Sequence, residues 1–420
     1  MKRVLLIAYA FPPAVASGMY HPFYLAKYLR LSGWDPFVLT GVPGDLPAEM
    51  RDPLDLPAAM DGRRVLRAAL ADETELATFA DREVRSPWLR RCILGHRDER
   101  GAPFRHVFPD PLVRWLPRAW RRAEEVLAKH RFDAVVTTSF PFSSVLLGRM
   151  AKERFGLPWV AEFRDLWTED PRFPRRSKAF MADSERLERD ILESADAVIS
   201  VSPPLAARFA RRSADGGRKV RCIELSYEEA EFEARPAPPP ERFHLVHVGT
   251  LYAGMWPSRL VGALDLLVQL GKLDPAHLRI TIAGRNQSGQ PPLPGFQAIG
   301  HRAHRDAVRL YRTAAMLLLT LPVELKEFIP SRLFEYMAAG VPILALVPPG
   351  SPAADMVQRS RTGTVVDVEA GLDTIACALY DGYAGWRDRT PAADQDWAYI
   401  RSFSSRAMAG RWAALLDRLA

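Results

Sequence analysis

The sequence predicts an α/β protein built from two parallel-sheet domains, and three observations carry that expectation. Short apolar runs alternate with helix-like segments, the pattern of β-strands joined by crossover helices. The runs fall into two groups of five, one for each sheet. Between the groups lie residues 233–241, EARPAPPPE, whose four prolines mark an interdomain linker.

The first group is expected at residues 3–9, 35–40, 134–138, 159–163 and 197–201, and the second at 244–248, 279–283, 316–319, 343–347 and 363–366. The N-terminal domain then spans 1–232 and the C-terminal domain 242–400. Residues 43–110 are dense in Arg, Asp and Pro without clear alternation, and read as an insertion of short helices and loops over the first domain. Residues 401–420 read as an amphipathic helix with Phe403, Met408, Trp412 and Leu415 on one side.

Composition excludes several classes. With 420 residues, 48% hydrophobic and 25% charged, the chain is an ordinary globular protein of two or three domains. The longest apolar runs are strand-length, and VLLIAYA leads into a Pro-Pro loop without a cleavage site, so it reads as a buried first strand. Cys92, Cys222 and Cys377 are far apart and form no CxxC pair, which fits a reducing cytoplasm. No GxGxxG and no GxxxxGK[ST] occurs, against a nicotinamide oxidoreductase or a P-loop enzyme. The net charge of +7 is spread along the chain with no nucleic-acid reader motif, so no nucleic-acid partner is expected. Residues 112–131 hold six Lys or Arg against two Glu, beside Trp115 and Trp120. Such a helix suits either an anionic membrane surface, at the inner face, or a solvated charged face.

The most informative stretch is 327–344, EFIPSRLFEYMAAGVPIL. Pro330 fixes φ for a first helical turn, Ser331 and Arg332 follow at its electropositive end, and Leu333, Phe334, Met337 and Ala338 recur at helical spacing. Gly340 and Pro342 stop the helix before an apolar strand. Arg332 is a candidate to hold two phosphate oxygens in its planar fork, or else an exposed helix arginine. Arg285, just past the strand at 279–283, is a second candidate because ligands gather beyond the carboxyl ends of parallel strands.

This stretch resembles the donor-site signature of the retaining, nucleotide-sugar-dependent glycosyltransferases of family four, in which two Glu flank such a helix entry. The resemblance spans nearly the whole chain: YAFPPAVASG at 9–18, AKYL at 26–29, GWDPFVLT at 33–40, FDAVVTTSFPFSS at 132–144, LPWVAEFRDLWTEDP at 157–171 and SADAVISVS at 194–202 follow the family's order. It implies a GT-B fold, two Rossmann-like domains facing across a cleft, with the last helix returning to the first domain. It also implies a glycosyltransferase that moves a sugar from a nucleoside diphosphate sugar to a glycan, lipid-linked or small-molecule acceptor. Retention, independence of metal and no cofactor beyond the donor complete the expectation.

Carried over residue by residue, Glu335 would hydrogen-bond the ribose and Glu327 would face the sugar. The diphosphate would meet Ser331, Arg332, Arg285, Gly249 and Thr250. The family has basic residues after the first strand of this domain, where this chain has Thr250 and Met255, and Arg259 is the substitute expected. That departure keeps a second reading open, a catalytically weak sugar-nucleotide-binding protein of the same fold. On the acceptor side stand Pro13, Ser17 and Gly18 in the loop after the first strand, and Ser139; the catalytic candidates are Glu327 with Arg164 and Asp165, which serve the cleft or form a structural pair. A second departure is Glu224 to Tyr227, where the family tends to place Pro-Asn-Gly.

Overall fold

A computed structural model describes residues 1–13, 19–45, 62–95, 108–172, 176–233, 240–252, 254–255, 257–289, 295–390 and 394–420. Contacts divide the chain into two compact units, residues 1–224 with 408–420, and residues 225–407. The division at Glu224 falls ahead of the Pro-rich 233–241 stretch, most of which lies outside the described residues.

The first unit contains β1 (Lys2–Ile7), α1 (Tyr20–Leu29), β2 (Trp34–Gly41), β3 (Val65–Ala68), α2 (Glu73–Glu83), α3 (Pro87–Gly95), α4 (Leu116–Lys129), β4 (Ala134–Ser139), α5 (Ser144–Phe155), β5 (Trp159–Phe163), α6 (Lys178–Ser194), β6 (Ala197–Ser200), α7 (Pro203–Arg212) and β7 (Val220–Cys222). Its strands form one parallel sheet in the order β3-β2-β1-β4-β5-β6-β7. The second unit contains β8 (Phe243–Val248), α8 (Ser258–Gln269), β9 (Leu278–Ala283), β10 (Phe296–Gly300), α9 (His304–Thr313), β11 (Met316–Thr320), α10 (Arg332–Ala339), β12 (Ile343–Val347), α11 (Pro352–Ser360), β13 (Gly363–Asp367), α12 (Leu372–Arg387) and α13 (Trp397–Arg401). Its sheet is also parallel, in the order β10-β9-β8-β11-β12-β13. The last helix, α14 (Ser405–Leu419), runs from the end of the second unit into the first.

Burial on both faces makes the central strands of such parallel sheets predominantly apolar. β4, β5, β11 and β12 are buried along their whole length. Met408, Trp412 and Leu416 of α14 belong to the first unit's core with Val4, Leu6 and Trp34. Burying each such side chain contributes about 1.5–3 kcal/mol.

The ten expected strands are present, and three more lie at or toward the sheet edges. These are β3, β7 and β10, each short and only partly buried. The reading of 43–110 as an insertion is therefore corrected in part, because β3 pairs with β2 and belongs to the sheet. Trp115 and Trp120 are buried, Arg114 Nε donates to the Ala71 carbonyl, and Arg118 holds Glu75 through Nε and Nη2. Trp115, just before α4, and Trp120 within it are core, and the exposed cations of α4 are Arg121, Arg122 and Lys129.

In each sheet the strand order reverses once, between β1 and β4 and between β8 and β11. Ligands of open parallel sheets bind beyond the strand ends at such a reversal.

Candidate functional site

The second reversal is where the signature residues converge. After β8 the chain turns through Gly249, whose N–H donates to the Ala283 carbonyl at 2.8 Å and whose φ is +130°. After β9 it turns through Gly284, at φ +151°. A Cβ on Gly284 would overlap the Gly249 carbonyl oxygen, and a Cβ on Gly249 would overlap Nη1 of Arg332. Two bare backbone turns therefore form a floor on which the Arg332 guanidinium lies.

Arg332 opens α10, which buries Leu333, Phe334, Tyr336, Met337 and Ala338 and ends at Gly340 in the left-handed conformation. The N–H groups of Leu333 and Phe334 are taken by the carbonyls of Pro330 and Ser331. Attraction for an anion there comes from Arg332 and the helix dipole. Arg332 Nε is buried and has no hydrogen-bond partner. A charged donor left bare in this way is costly unless a ligand completes it.

The surroundings reinforce the charge. His247, on β8, is buried, and burial together with the neighbouring Arg332 guanidinium lowers its pKa to about 3, so the ring is neutral. Its Nδ1 meets the Leu318 carbonyl at 3.0 Å. Tyr336 of α10 accepts the Val248 N–H at 2.9 Å, which fixes the end of β8 to the helix.

Glu335 stands one turn along α10 from Arg332, with 17% of its side chain exposed. Burial raises its pKa above the usual carboxylate range, while His304 and the Tyr311 hydrogen bond pull the other way. Tyr311 donates to Oε2 at 2.9 Å, and His304 Nδ1 lies 3.8 Å from Oε1. A carboxylate held this way can accept hydrogen bonds from a pair of ligand hydroxyls.

The other expected donor residues are placed as follows. Ser331 is exposed and is the N-cap of α10, yet its hydroxyl does not cap the helix. Arg285 and Thr250 are half-buried beside Gly284 and Gly249. Glu327 is half-buried in the loop after Val323–Leu325. Arg259 is exposed on α8, and its Nη1 donates to the Glu369 and Ala370 carbonyls at 2.8 Å each. Met255 is core, packed with Leu251 and Ile282.

In the first unit, Ser139 ends β4 with its hydroxyl buried and unpartnered, and its carbonyl accepts Arg164 Nε at 2.6 Å. Asp165 accepts a hydrogen bond from Arg172 Nη2. Beneath them Glu162 is fully buried, with His21 Nε2 at 2.6 Å. Desolvation opposes its charge, but His21 outweighs it and the carboxyl is held below its ordinary pKa. Pro13 is half-buried, and Ser17 and Gly18 lie outside the described residues.

Sequence reading missed His247, His304, Tyr311 and Tyr336. Histidine in the apolar run of β8 and two polar rings seven positions apart on α9 were the available signals. The run Asp394-Gln395-Asp396, spaced as a carboxylate pair, serves structure: Asp396 accepts the Tyr399 N–H at the start of α13, and Asp394 is exposed 3.9 Å from Arg361. Among the described residues no group of three His, Cys, Asp or Glu is gathered as a metal site.

Residues 23–223 match the family described as glycosyl transferase 4-like domain. No curated protein matches the chain. Among solved structures, a glycosyltransferase from Rickettsia africae is similar over 100% of this chain and 98% of its own, at a TM-score of 0.64 and 14% identity. An α,α-trehalose-phosphate synthase (UDP-forming) from Burkholderia vietnamiensis is similar over 100% and 97%, at 0.60 and 14%. TarM of S. aureus, in complex with fondaparinux, α-GlcNAc-glycerol and UDP, is similar over 99% and 100%, at 0.58 and 10%. At these identities the structural likenesses establish the fold.

Proposed function

We propose that this chain, a glycosyltransferase carrying a glycosyl transferase 4-like domain on a GT-B fold, transfers a sugar from a nucleoside diphosphate sugar with retention of configuration and without a metal ion. One observation carries the donor assignment: Arg332, its Nε orphaned, lies on the two-glycine floor where the second sheet reverses. Breaking the bond between the sugar and the β-phosphate builds negative charge on that phosphate, and a preorganised guanidinium stabilises it most as it forms. Arg285 and Thr250 add to the diphosphate site, Gly249 provides the bare turn on which Arg332 rests, and Ser331 stands at the mouth of α10. Glu335 accepts the ribose hydroxyls, and Glu327 faces the sugar.

In this reading the acceptor oxygen bonds to the anomeric carbon on the face the phosphate leaves. The acceptor proton passes to a phosphate oxygen, and the nucleoside diphosphate departs. No covalent enzyme intermediate is required. Ser139, Arg164, Asp165 and the loop from Pro13 to Gly18 serve a glycan or lipid-linked acceptor. UDP is the first donor product to test, because similar structures were solved with it or carry it in their names.

A cytoplasmic setting fits the three free cysteines, and no described helix is long and apolar enough to cross a membrane. For a seat on an anionic membrane the support is narrower, resting on Arg121, Arg122 and Lys129 of α4.

A second reading, a sugar-nucleotide-binding protein with weak transfer, is favoured by Thr250 and Met255 in place of cations and by Arg259 being engaged with two carbonyls. A thermal-shift and calorimetric screen of UDP, ADP, GDP and their sugars, followed by transfer and hydrolysis assays, tests both. Stabilisation by one nucleotide with turnover supports the transferase, since a ligand bound only by the native state raises apparent stability. Tight binding without turnover supports the second reading, and no binding removes both.

A further inference from the structure

We propose that His304 is a positioning residue for the donor ribose: held between Glu231 and Glu335 as an imidazolium, it keeps the Glu335 carboxylate ionised and aimed. The inference rests on the donor-site reading above.

The geometry is a chain of three side chains from three elements. Glu231 ends the short turn Glu229–Glu231, and its Oε2 meets His304 Nε2 at 2.8 Å. His304 opens α9, and its Nδ1 faces Glu335 Oε1 at 3.8 Å. The ring is 8% exposed, against 30% for Glu231. A neutral imidazole has one N–H and can donate to one carboxylate, whereas the protonated ring donates from both nitrogens. A carboxylate at each nitrogen is therefore the setting of the charged form.

Glu335 needs that charge. Burial disfavours its ionised state, and Glu231 adds repulsion. A protonated carboxyl would turn one acceptor oxygen into a donor and lose half its grip on a diol. The other groups facing the cluster are Tyr311 from α9 itself, which donates to Oε2, and Arg332 and Tyr336 from α10. Tyr311 stands seven residues after His304, on the same face of α9, so one helix hydrogen-bonds one oxygen of Glu335 and sets the His304 ring 3.8 Å from the other. The backbone of Glu231 is held in its turn by its own N–H, which donates to the Glu228 carbonyl at 3.2 Å.

The role reaches ribose recognition and leaves the diphosphate site alone. This separates it from general support of the fold. A variant at His304 should weaken ligands that carry ribose and spare those that carry phosphate only. Its effect should follow pH, because the cluster acts through a proton.

The test uses the full chain, with UDP, ADP, GDP and inorganic pyrophosphate measured by calorimetry at pH 6.5 and 8.5. For whichever nucleotide binds, His304→Gln should weaken affinity about tenfold at pH 6.5 and leave pyrophosphate affinity unchanged. It should also remove the part of the pH dependence that the His304 proton contributes in wild type, the ligand's own ionisation being common to both proteins. Glu231→Gln should move the loss to lower pH. A His304→Gln protein with wild-type nucleotide affinity and the same pH dependence would overturn the inference, as would an equal loss for pyrophosphate. If wild type binds none of the nucleotides, the donor-site reading fails, and the cluster is judged by ¹⁵N NMR of the ring. Protons on both His304 nitrogens at pH 6.5, with one lost in Glu231→Gln, would support the imidazolium bridge; a neutral ring in wild type would end it.

Discussion

The guanidinium of Arg332 lies against the Cα of Gly249, close enough that any side chain at position 249 would overlap it. The contact joins the start of α10 to the end of β8, two elements whose sequence separation hides their proximity. It is possible because Gly249 sits at φ +130°, a conformation that L-residues rarely adopt.

Gly249→Ala should therefore act twice, straining the turn by about 1–3 kcal/mol and displacing Arg332. The expected outcome is a folded protein, by circular dichroism, whose nucleoside diphosphate affinity falls at least tenfold. Wild-type affinity in the variant would separate the Gly249 turn from the ligand site.

Glu335→Gln keeps the shape of the side chain and one acceptor oxygen, so the fold should survive and donor binding should weaken by roughly 1.5–3 kcal/mol, the range for a hydrogen bond to a charged group. Calorimetry against the nucleotide that binds wild type measures it. An unchanged affinity would remove Glu335 from the site.

Acid stability offers a test that needs no ligand. His247 is held neutral, with a pKa lowered to about 3, and His244 with one lowered to about 4, both mainly by burial. A histidine depressed in the folded state gives stability that is present above its unfolded value, near 6.5, and is lost as pH falls toward the folded value. At about 1.4 kcal/mol per unit the His247 contribution is on the order of 5 kcal/mol. The thermal midpoint should fall between pH 7 and 4, and His247→Asn should show a shallower fall whatever its absolute midpoint. Parallel slopes for the two proteins would contradict the assignment.

Transfer should proceed in the presence of EDTA, because the Arg332 guanidinium supplies the positive charge that a divalent ion would otherwise provide. Loss of activity on chelation, restored by Mg²⁺ or Mn²⁺, would contradict the metal-independent reading.

What the sequence disclosed follows from burial. Strands such as β11 and β12, buried along their whole length, are apolar but for the last threonine of β11 and are legible as such. β3, β7 and β10 are short and partly exposed, so little apolar patterning distinguishes VLRA, VRC or FQAIG from loop. Trp115 and Trp120 show the limit of the helical stripe: periodicity gives an amphipathic face, while only packing decides that the face meets a core. The proximity of Glu335 and Arg332 is legible because they share one short helix. Its partners were not, since Glu231, His304 and Tyr311 approach Glu335 from elements remote in sequence.

The most direct test of the donor site is calorimetric titration of UDP, ADP and GDP into wild type and Arg332→Gln. The account predicts that one nucleotide binds wild type, and that the variant, folded and of similar thermal midpoint, loses at least tenfold in affinity for it and for inorganic pyrophosphate. Equal affinity in the two proteins would contradict the account, because the orphaned guanidinium on the Gly249 and Gly284 floor would then not be the diphosphate site.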